Sequence, residues 1–273
     1  MSSLLKGTLV LVGCGKMGSA LLEGWLARGV DATKIAVIEP TPAPEITALL
    51  AQHQVKLNPS ALTINDAEVV ILAVKPQVIM EVLPNLLPLM ATKPLVVSIA
   101  AGKTIATFEA AFGKATSIIR TMPNTPAAIG RGITAIVGNA NVSNRQLKLA
   151  EELLAATGEV VQVDNEATID LVTAVSGSGP AYVFLLAETL AAAGEKAGLP
   201  KELAVRLARA TVAGSGELMR QSGVDAAILR QNVTSPNGTT YAALQVLMAN
   251  DGMQQLMNRA VEAAAQRSRE LAK

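Results

Sequence analysis

Along residues 1–163, short aliphatic and β-branched runs alternate with stretches whose apolar positions recur every three to four residues. The runs at 8–12, 34–39, 68–74, 95–99, 117–121, 133–137 and 160–163 read as strands, most of them ending near Gly, Pro or Lys. Between most of them lie amphipathic segments at 17–28, 44–52, 77–87, 104–111 and 143–156. Strands alternating with helices predict an α/β domain built on a doubly wound parallel sheet, with helices on both faces. After residue 163 the strand runs vanish and long Ala/Leu/Met patterns take over, so 164–273 is expected to form a second, all-helical domain. Its helices are expected at 180–197, 201–221, 225–232, 240–249 and 253–271, with Gly198-Leu199-Pro200 stopping one and starting the next. Their apolar residues fall on more than one face, as in Ala187, Leu190, Ala191, Ala192 and Ala193. One small core cannot cover both faces, which predicts a buried subunit interface.

Gly13-Cys14-Gly15-Lys16-Met17-Gly18 sits between the first strand and the first helix. In that context G-x-G-x-x-G is a dinucleotide fingerprint. Gly13 allows the turn, Gly15 lets backbone approach a pyrophosphate, and Gly18 lets the helix pack on the strand with its free N–H groups toward negative charge.

Composition changes the picture in three ways. The chain of 273 residues is 50% hydrophobic but only 2% aromatic, so its cores are built from Ala, Val, Leu, Ile and Met. A formal net charge of +1 offers no general attraction to nucleic acid or anionic lipid. Cys14 is the single cysteine, which excludes an internal disulfide framework and a cysteine-rich metal site. It reads as a small residue at an unconstrained position of the turn with no thiol chemistry in turnover, although the helix N-terminus nearby could acidify its thiol. Lys6 leads through a short apolar stretch straight into the glycine turn, leaving no room for a secretory leader, and no stretch approaches the length of a membrane span. A reducing, cytoplasmic setting without membrane or nucleic-acid partners is expected.

Four further places carry chemistry. Ala73-Val74-Lys75-Pro76-Gln77 closes a buried strand, where open α/β sheets present ligand-contacting residues. Arg120-Thr121-Met122-Pro123-Asn124-Thr125-Pro126 closes another, with prolines stiffening a loop whose Asn and Thr offer uncharged hydrogen bonds to a ring amide. Ser176-Gly177-Ser178-Gly179-Pro180-Ala181-Tyr182 interrupts a helical region, and Ser235-Pro236-Asn237-Gly238-Thr239-Thr240 precedes a later helix. Both expose backbone donors at a helix start, and the second is a natural cradle for a carboxylate, although each taken alone reads as a helix cap.

These five motifs, in this order and approximate spacing, resemble pyrroline-5-carboxylate reductase over the whole chain from first strand to last helix. The resemblance implies an N-terminal Rossmann domain (1–163), a helical dimerisation and substrate-binding domain (164–273), and reduction of L-1-pyrroline-5-carboxylate to L-proline by NADPH or NADH. It further implies a homodimer, which some members assemble into decamers. Carried over by motif, Gly13, Gly15, Lys16, Met17 and Gly18 meet the pyrophosphate. Ala73, Lys75, Pro76, Asn124 and Pro126 line the nicotinamide side. Ser235, Gly238, Thr239 and Thr240 hold the substrate carboxylate, with Ser176, Gly179 and Pro180 as the opposite wall. Interleaved subunits allow the carboxylate loop to come from the partner, in which case a monomer would be inactive.

No histidine or acidic residue stands in the stretches that make this resemblance specific, and the sole His53 reads as solvated. A cyclic imine that enters already protonated accepts hydride without a strong general acid, so the protein's task is orientation at about 3–3.5 Å. Thr240, through its hydroxyl or a water, is the residue expected to steady the ring nitrogen. Cofactor choice stays open. Glu39 ends the second strand, where an acid bonds ribose hydroxyls and repels a 2′-phosphate, and no Arg follows it in Pro40-Thr41-Pro42-Ala43. Alternatively Glu39 points away, and Ser60 or a backbone turn accommodates the phosphate. Two rival functions remain. A β-hydroxyacid dehydrogenase would need a lysine early on the helix from 180, where none occurs before Lys196. A nucleotide-sensing protein would have no use for the carboxylate cradle.

Overall fold

The computed structural model describes residues 5–271, so the extreme ends of both expected domains lie outside the described residues. Among the described residues, β1 (Thr8–Val12), β2 (Ile35–Ile38), β3 (Lys56–Leu57), β4 (Ala67–Leu72), β5 (Leu95–Ser98), β6 (Ser117–Met122), β7 (Gly132–Gly138) and β8 (Gly158–Gln162) form one sheet in the order β3-β2-β1-β4-β5-β6-β7-β8. Helices α1 (Lys16–Ala27), α2 (Pro44–Gln52), α3 (Ile79–Val82), α4 (Ile105–Phe112) and α5 (Asn144–Leu154) connect the strands, and α6 (Thr168–Val172) follows the last of them.

Strand periodicity explains the two helical layers. Alternate side chains of a strand point to opposite faces, and β1 is apolar on both. Leu9 and Leu11 join Leu21, Leu22 and Trp25 of α1 and Leu153 of α5, while Val10 and Val12 join Ile79, Leu83 and Phe108 on the other side. The Trp25 indole N–H, fully buried, donates to the Leu153 carbonyl at 2.8 Å and so ties α1 to α5. The strand order reverses beside β1: β2 lies on one side of it, and β4 crosses to the other. Such a switch point leaves a crevice at the carboxyl ends of the two diverging strands.

The doubly wound sheet matches the sequence expectation, with one addition. Every pairing is parallel except β6 with β7. Only residues 123–131 separate them, including a 3₁₀ turn at Thr125–Ile129, and a parallel return needs a longer crossover. The helix expected at 77–87 is α-helical only over Ile79–Val82 and tightens into a 3₁₀ helix over Leu83–Thr92. Pro84 and Pro88 lack the N–H groups an α-helix would use there. The two-residue edge strand β3 had no readable run of its own.

The chain packs as two compact units, and the change of unit differs from the expected 163/164. The first extends to Gly177 and takes back the chain from Ala265; the second is Ser178–Ala264. Helix α6 stays with the sheet because Ile169 enters its apolar cluster and Asp170 approaches Arg120. The expected break at 176–182 is instead a π-helical turn, Thr173–Gly177, with a bend at Ser178 before α7 (Gly179–Lys196). Because that turn joins two apolar segments, Thr168–Lys196 becomes a helical stretch long and apolar enough, by length and composition alone, to cross a membrane. This corrects the expectation that no stretch reaches that length.

The second unit continues with α8 (Lys201–Ser222), α9 (Ala226–Asn232), α10 (Thr239–Leu247) and most of α11 (Met253–Leu271). Helix α7 packs along α8 yet buries none of its residues, and α8 buries only Ala204 and Ala208. Phe184 is 67% exposed, with Val183, Leu185 and Leu190 also exposed. Several large apolar side chains left exposed on one helix fit an interaction face.

Candidate active site

The glycine turn is built around backbone contacts that exclude side chains. Gly13 has φ +91°, and a Cβ there would lie 2.7 Å from the Ala73 backbone. A Cβ on Gly18 would sit 2.3 Å from the Gly13 carbonyl oxygen, so α1 approaches the turn only because both residues are bare. Gly15 is different: a Cβ on it would meet nothing within 4 Å. The protein's own packing does not demand a glycine there. Gly15 is also the N-cap of α1, without a side-chain cap and with no acid in the first turn, so the first N–H groups remain available to an anion. A dinucleotide pyrophosphate fits this arrangement, since it needs backbone approach and unclaimed N–H donors in one place.

Beside the turn, at the switch point, lies a cavity of about 610 Å³. Gly13 and Gly15 form its base; Glu39 and Thr41 stand on the β2 side, and Ala73 and Lys75 on the β4 side. The Glu39 carboxylate accepts from the Cys14 N–H at 2.9 Å and the Thr41 N–H at 3.1 Å. It therefore faces the crevice rather than away from it, and ties the glycine turn to the loop after β2. Lys16, Met17 and Gly18 open α1, and Pro76 follows Lys75, all outside the cavity lining. Ser60 is also outside it, although its neighbours Pro59 and Ala61 line the wall. Its hydroxyl accepts from the Leu62 N–H, capping a 3₁₀ turn. The sequence missed Val78, Val82 and Leu86, an apolar wall supplied by α3 and the 3₁₀ helix; only their helical spacing could have pointed to it.

The β6 loop proves less free than its composition suggested. Asn124 Oδ1 accepts from the Ile133 N–H at 2.9 Å, and Nδ2 donates to Ser176 Oγ at 3.3 Å. Pro126 lies in the 3₁₀ turn that follows. The structure thus brings Asn124 and Ser176 together within the first unit, with part of the Asn124 amide already engaged. In the second unit, Gly179 and Pro180 form the first turn of α7. Asn237 adopts φ +57°, the Gly238 N–H donates to the Ser235 carbonyl at 3.1 Å, and Gly238 is the N-cap of α10. No side chain caps that helix, so the amides at Thr239 and Thr240 have the orientation of anion donors.

Cys14 departs from expectation. Burial, with Glu39 and Glu23 adding to it, pushes its thiol up to about 11 rather than acidifying it, and its side chain belongs to the apolar cluster under α1. The folded state thus favours the neutral thiol. This contribution to stability is complete below the unfolded value of about 8.5 and is lost as pH rises through the folded one. Replacing Cys14 with alanine is therefore expected to flatten the decline of the denaturation midpoint over that alkaline window. An unchanged slope would contradict the assignment. Among the described residues, no three His, Cys, Asp or Glu side chains converge on a metal-sized site.

Residues 166–271 match a family described as pyrroline-5-carboxylate reductase dimerisation, and residues 8–102 match one described as NADP oxidoreductase, coenzyme F420-dependent. The chain is 44% identical over 266 residues to the pyrroline-5-carboxylate reductase of Pseudomonas aeruginosa, covering 97% of this chain and 96% of that one. A solved pyrroline-5-carboxylate reductase from Coxiella burnetii superposes with a TM-score of 0.91 at 36% identity, covering 98% of this chain and all of the other. The Plasmodium falciparum pyrroline carboxylate reductase, solved with NADP bound, superposes with a TM-score of 0.80 at 30% identity, covering 98% of this chain and 99% of that one.

Proposed function

Because this chain belongs to the pyrroline-5-carboxylate reductases, the NAD(P)H-dependent oxidoreductases that complete proline biosynthesis, we propose how its own residues divide the reduction of L-1-pyrroline-5-carboxylate to L-proline. Bound NAD(P)H supplies the hydride. The α1 N-terminus at Gly13, Gly15, Lys16, Met17 and Gly18 holds the pyrophosphate, and the observation that carries this is the open space at Gly15. Ala73, Lys75, Pro76, Asn124 and Pro126 border the nicotinamide side. The uncapped start of α10, with Ser235, Gly238, Thr239 and Thr240, takes the substrate carboxylate, and Ser176, Gly179 and Pro180 are the further residues assigned to the substrate. In this division, residues 1–163 carry the cofactor and 164–273 carry dimerisation and substrate.

The substrate's iminium carbon needs no strong acid to become electrophilic, so these residues act by orientation. The Thr240 hydroxyl steadies the ring nitrogen, directly or through water. Thr240→Ala keeps the backbone donors and is expected to lower kcat/KM by about a hundredfold. Unchanged turnover and KM would remove Thr240 from the mechanism.

For cofactor preference, Glu39 supports NADH. Its carboxylate is held by two backbone N–H groups on the cavity rim, so a 2′-phosphate would meet a charge that cannot easily withdraw. Glu39→Ser should shift the ratio of efficiencies toward NADPH by about tenfold or more. A strong NADPH preference in the unmodified protein would refute this reading. Assembly of dimers into a decamer belongs to the same proposal, as some members of the family assemble, and solution mass tests it. A cytoplasmic setting rests on the lone, buried cysteine and is tested by cell fractionation.

A further inference from the structure

Arg120, on β6, is 3% exposed and paired with two carboxylates. Its Nη1 lies 2.9 Å from Glu166 Oε1, and Nη2 lies 3.8 Å from Asp170 Oδ1. The same Glu166 oxygen accepts from the Ile105 N–H at 2.8 Å, at the start of α4. Asp170 Oδ1 accepts from the buried Ser268 hydroxyl at 2.7 Å, on the last turns of α11. One guanidinium thus gathers β6, α4, α6 and the end of α11, all within the first unit.

What this cluster holds lies a few residues away. Strand β6 runs from Arg120 to Met122 and on to Asn124, while α6 runs from Asp170 into the π turn. The two paths meet again at Asn124 and Ser176, 3.3 Å apart, and at Gly177, where a Cβ would come within 2.4 Å of the Met122 methyl. The π turn, a conformation frequent at functional sites, thereby lies with its last two residues against the end of β6 and the loop that follows. Buried ion clusters contribute little to net stability compared with apolar packing, yet they are exacting about geometry.

We infer that Arg120 and Ser268 are positioning residues for the reaction, acting through Asp170 and Glu166 to hold Asn124 and Ser176 in register. This rests on the assignment of Asn124 and Ser176 to the reacting side of the pocket. The cluster shares no residue with the Gly13–Glu39 end of the cofactor cavity, so cofactor affinity and turnover should separate.

The test uses the full-length enzyme with Ser268→Ala, Ser268→Thr and Arg120→Lys. Each is assayed for kcat, for KM toward pyrroline-5-carboxylate, for reduced-cofactor Kd by nicotinamide fluorescence, and for Tm. Ser268→Ala is expected to lose about tenfold in kcat/KM with cofactor Kd within about twofold, and Ser268→Thr to recover most of the loss. Arg120→Lys, which cannot span both carboxylates, should lose more. If it does not fold, the Ser268 pair decides. A Ser268→Ala enzyme with lower Tm but unchanged kcat and KM overturns the inference, as does an equal loss of cofactor affinity. An unmodified enzyme without reductase activity would overturn the underlying assignment instead.

Discussion

Gly15→Val is expected to weaken NAD(P)H binding by about a hundredfold while leaving Tm within a few degrees of the unmodified protein, because the two requirements on the glycine turn are separable. The backbone of Gly15 is extended, at φ −72° and ψ −164°, which valine adopts readily, and its side chain would enter space that no protein atom occupies. In the proposed site, that space is where the pyrophosphate approaches the α1 amides. Gly18→Ala gives the contrast: its methyl would strike the Gly13 carbonyl, so it should cost about 1–3 kcal/mol of stability before any effect on binding. Isothermal titration with reduced cofactor, alongside thermal unfolding, reads both. Unaltered affinity in Gly15→Val would place the phosphates away from the turn.

A second large effect is expected from Phe184→Glu on α7. Residues 166–271 match the family's dimerisation region, and α7 presents Phe184, Val183 and Leu185 to solvent in the isolated chain. A carboxylate buried without a partner across such a face costs several kcal/mol, enough to raise the dimer dissociation constant by more than about a thousandfold. The variant should sediment as a monomer and, if the carboxylate loop comes from the partner as interleaved subunits allow, lose reductase activity. A monomer with full activity would confine the whole site to one chain. A dimer that survives unchanged would move the interface off this part of α7.

Features set by neighbouring residues were legible in the sequence. The β1–α1 turn is one: Gly13 and Gly18 answer to atoms within a few residues or just after the adjacent strand, and Gly15 follows from the same short motif. The two-sided burial of β1 and the excess apolarity of α7 were legible for the same reason, since periodicity is local. Features that depend on distant residues were not. The thiol of Cys14 is governed first by burial and then by Glu39 and Glu23, against which proximity to a helix start counts for little. Asn124 looked like a free amide until β7 and the π turn claimed part of it. The stretch 176–182 reads as a break because Ser and Gly are poor helix formers, whereas the structure places a π turn at 173–177 and begins α7 at Gly179. The 3₁₀ helix after α3 was announced by Pro84 and Pro88, yet its apolar spacing imitates an α-helix. The extent of the first unit was hidden most completely, because nothing in the run 265–271 marks it as belonging with the sheet.

That return of the C-terminal turns makes the cofactor-binding unit discontinuous along the chain. As the polypeptide leaves the ribosome, the sheet can be assembled early, but the hydroxyl that Asp170 accepts from arrives 98 residues later. Closing a contact between positions 98 residues apart carries a loop-closure entropy that local helices escape, so this step is expected to come late in maturation. The amino-terminal half and the last helix are thus obliged to finish folding together, after the intervening helices have been synthesised.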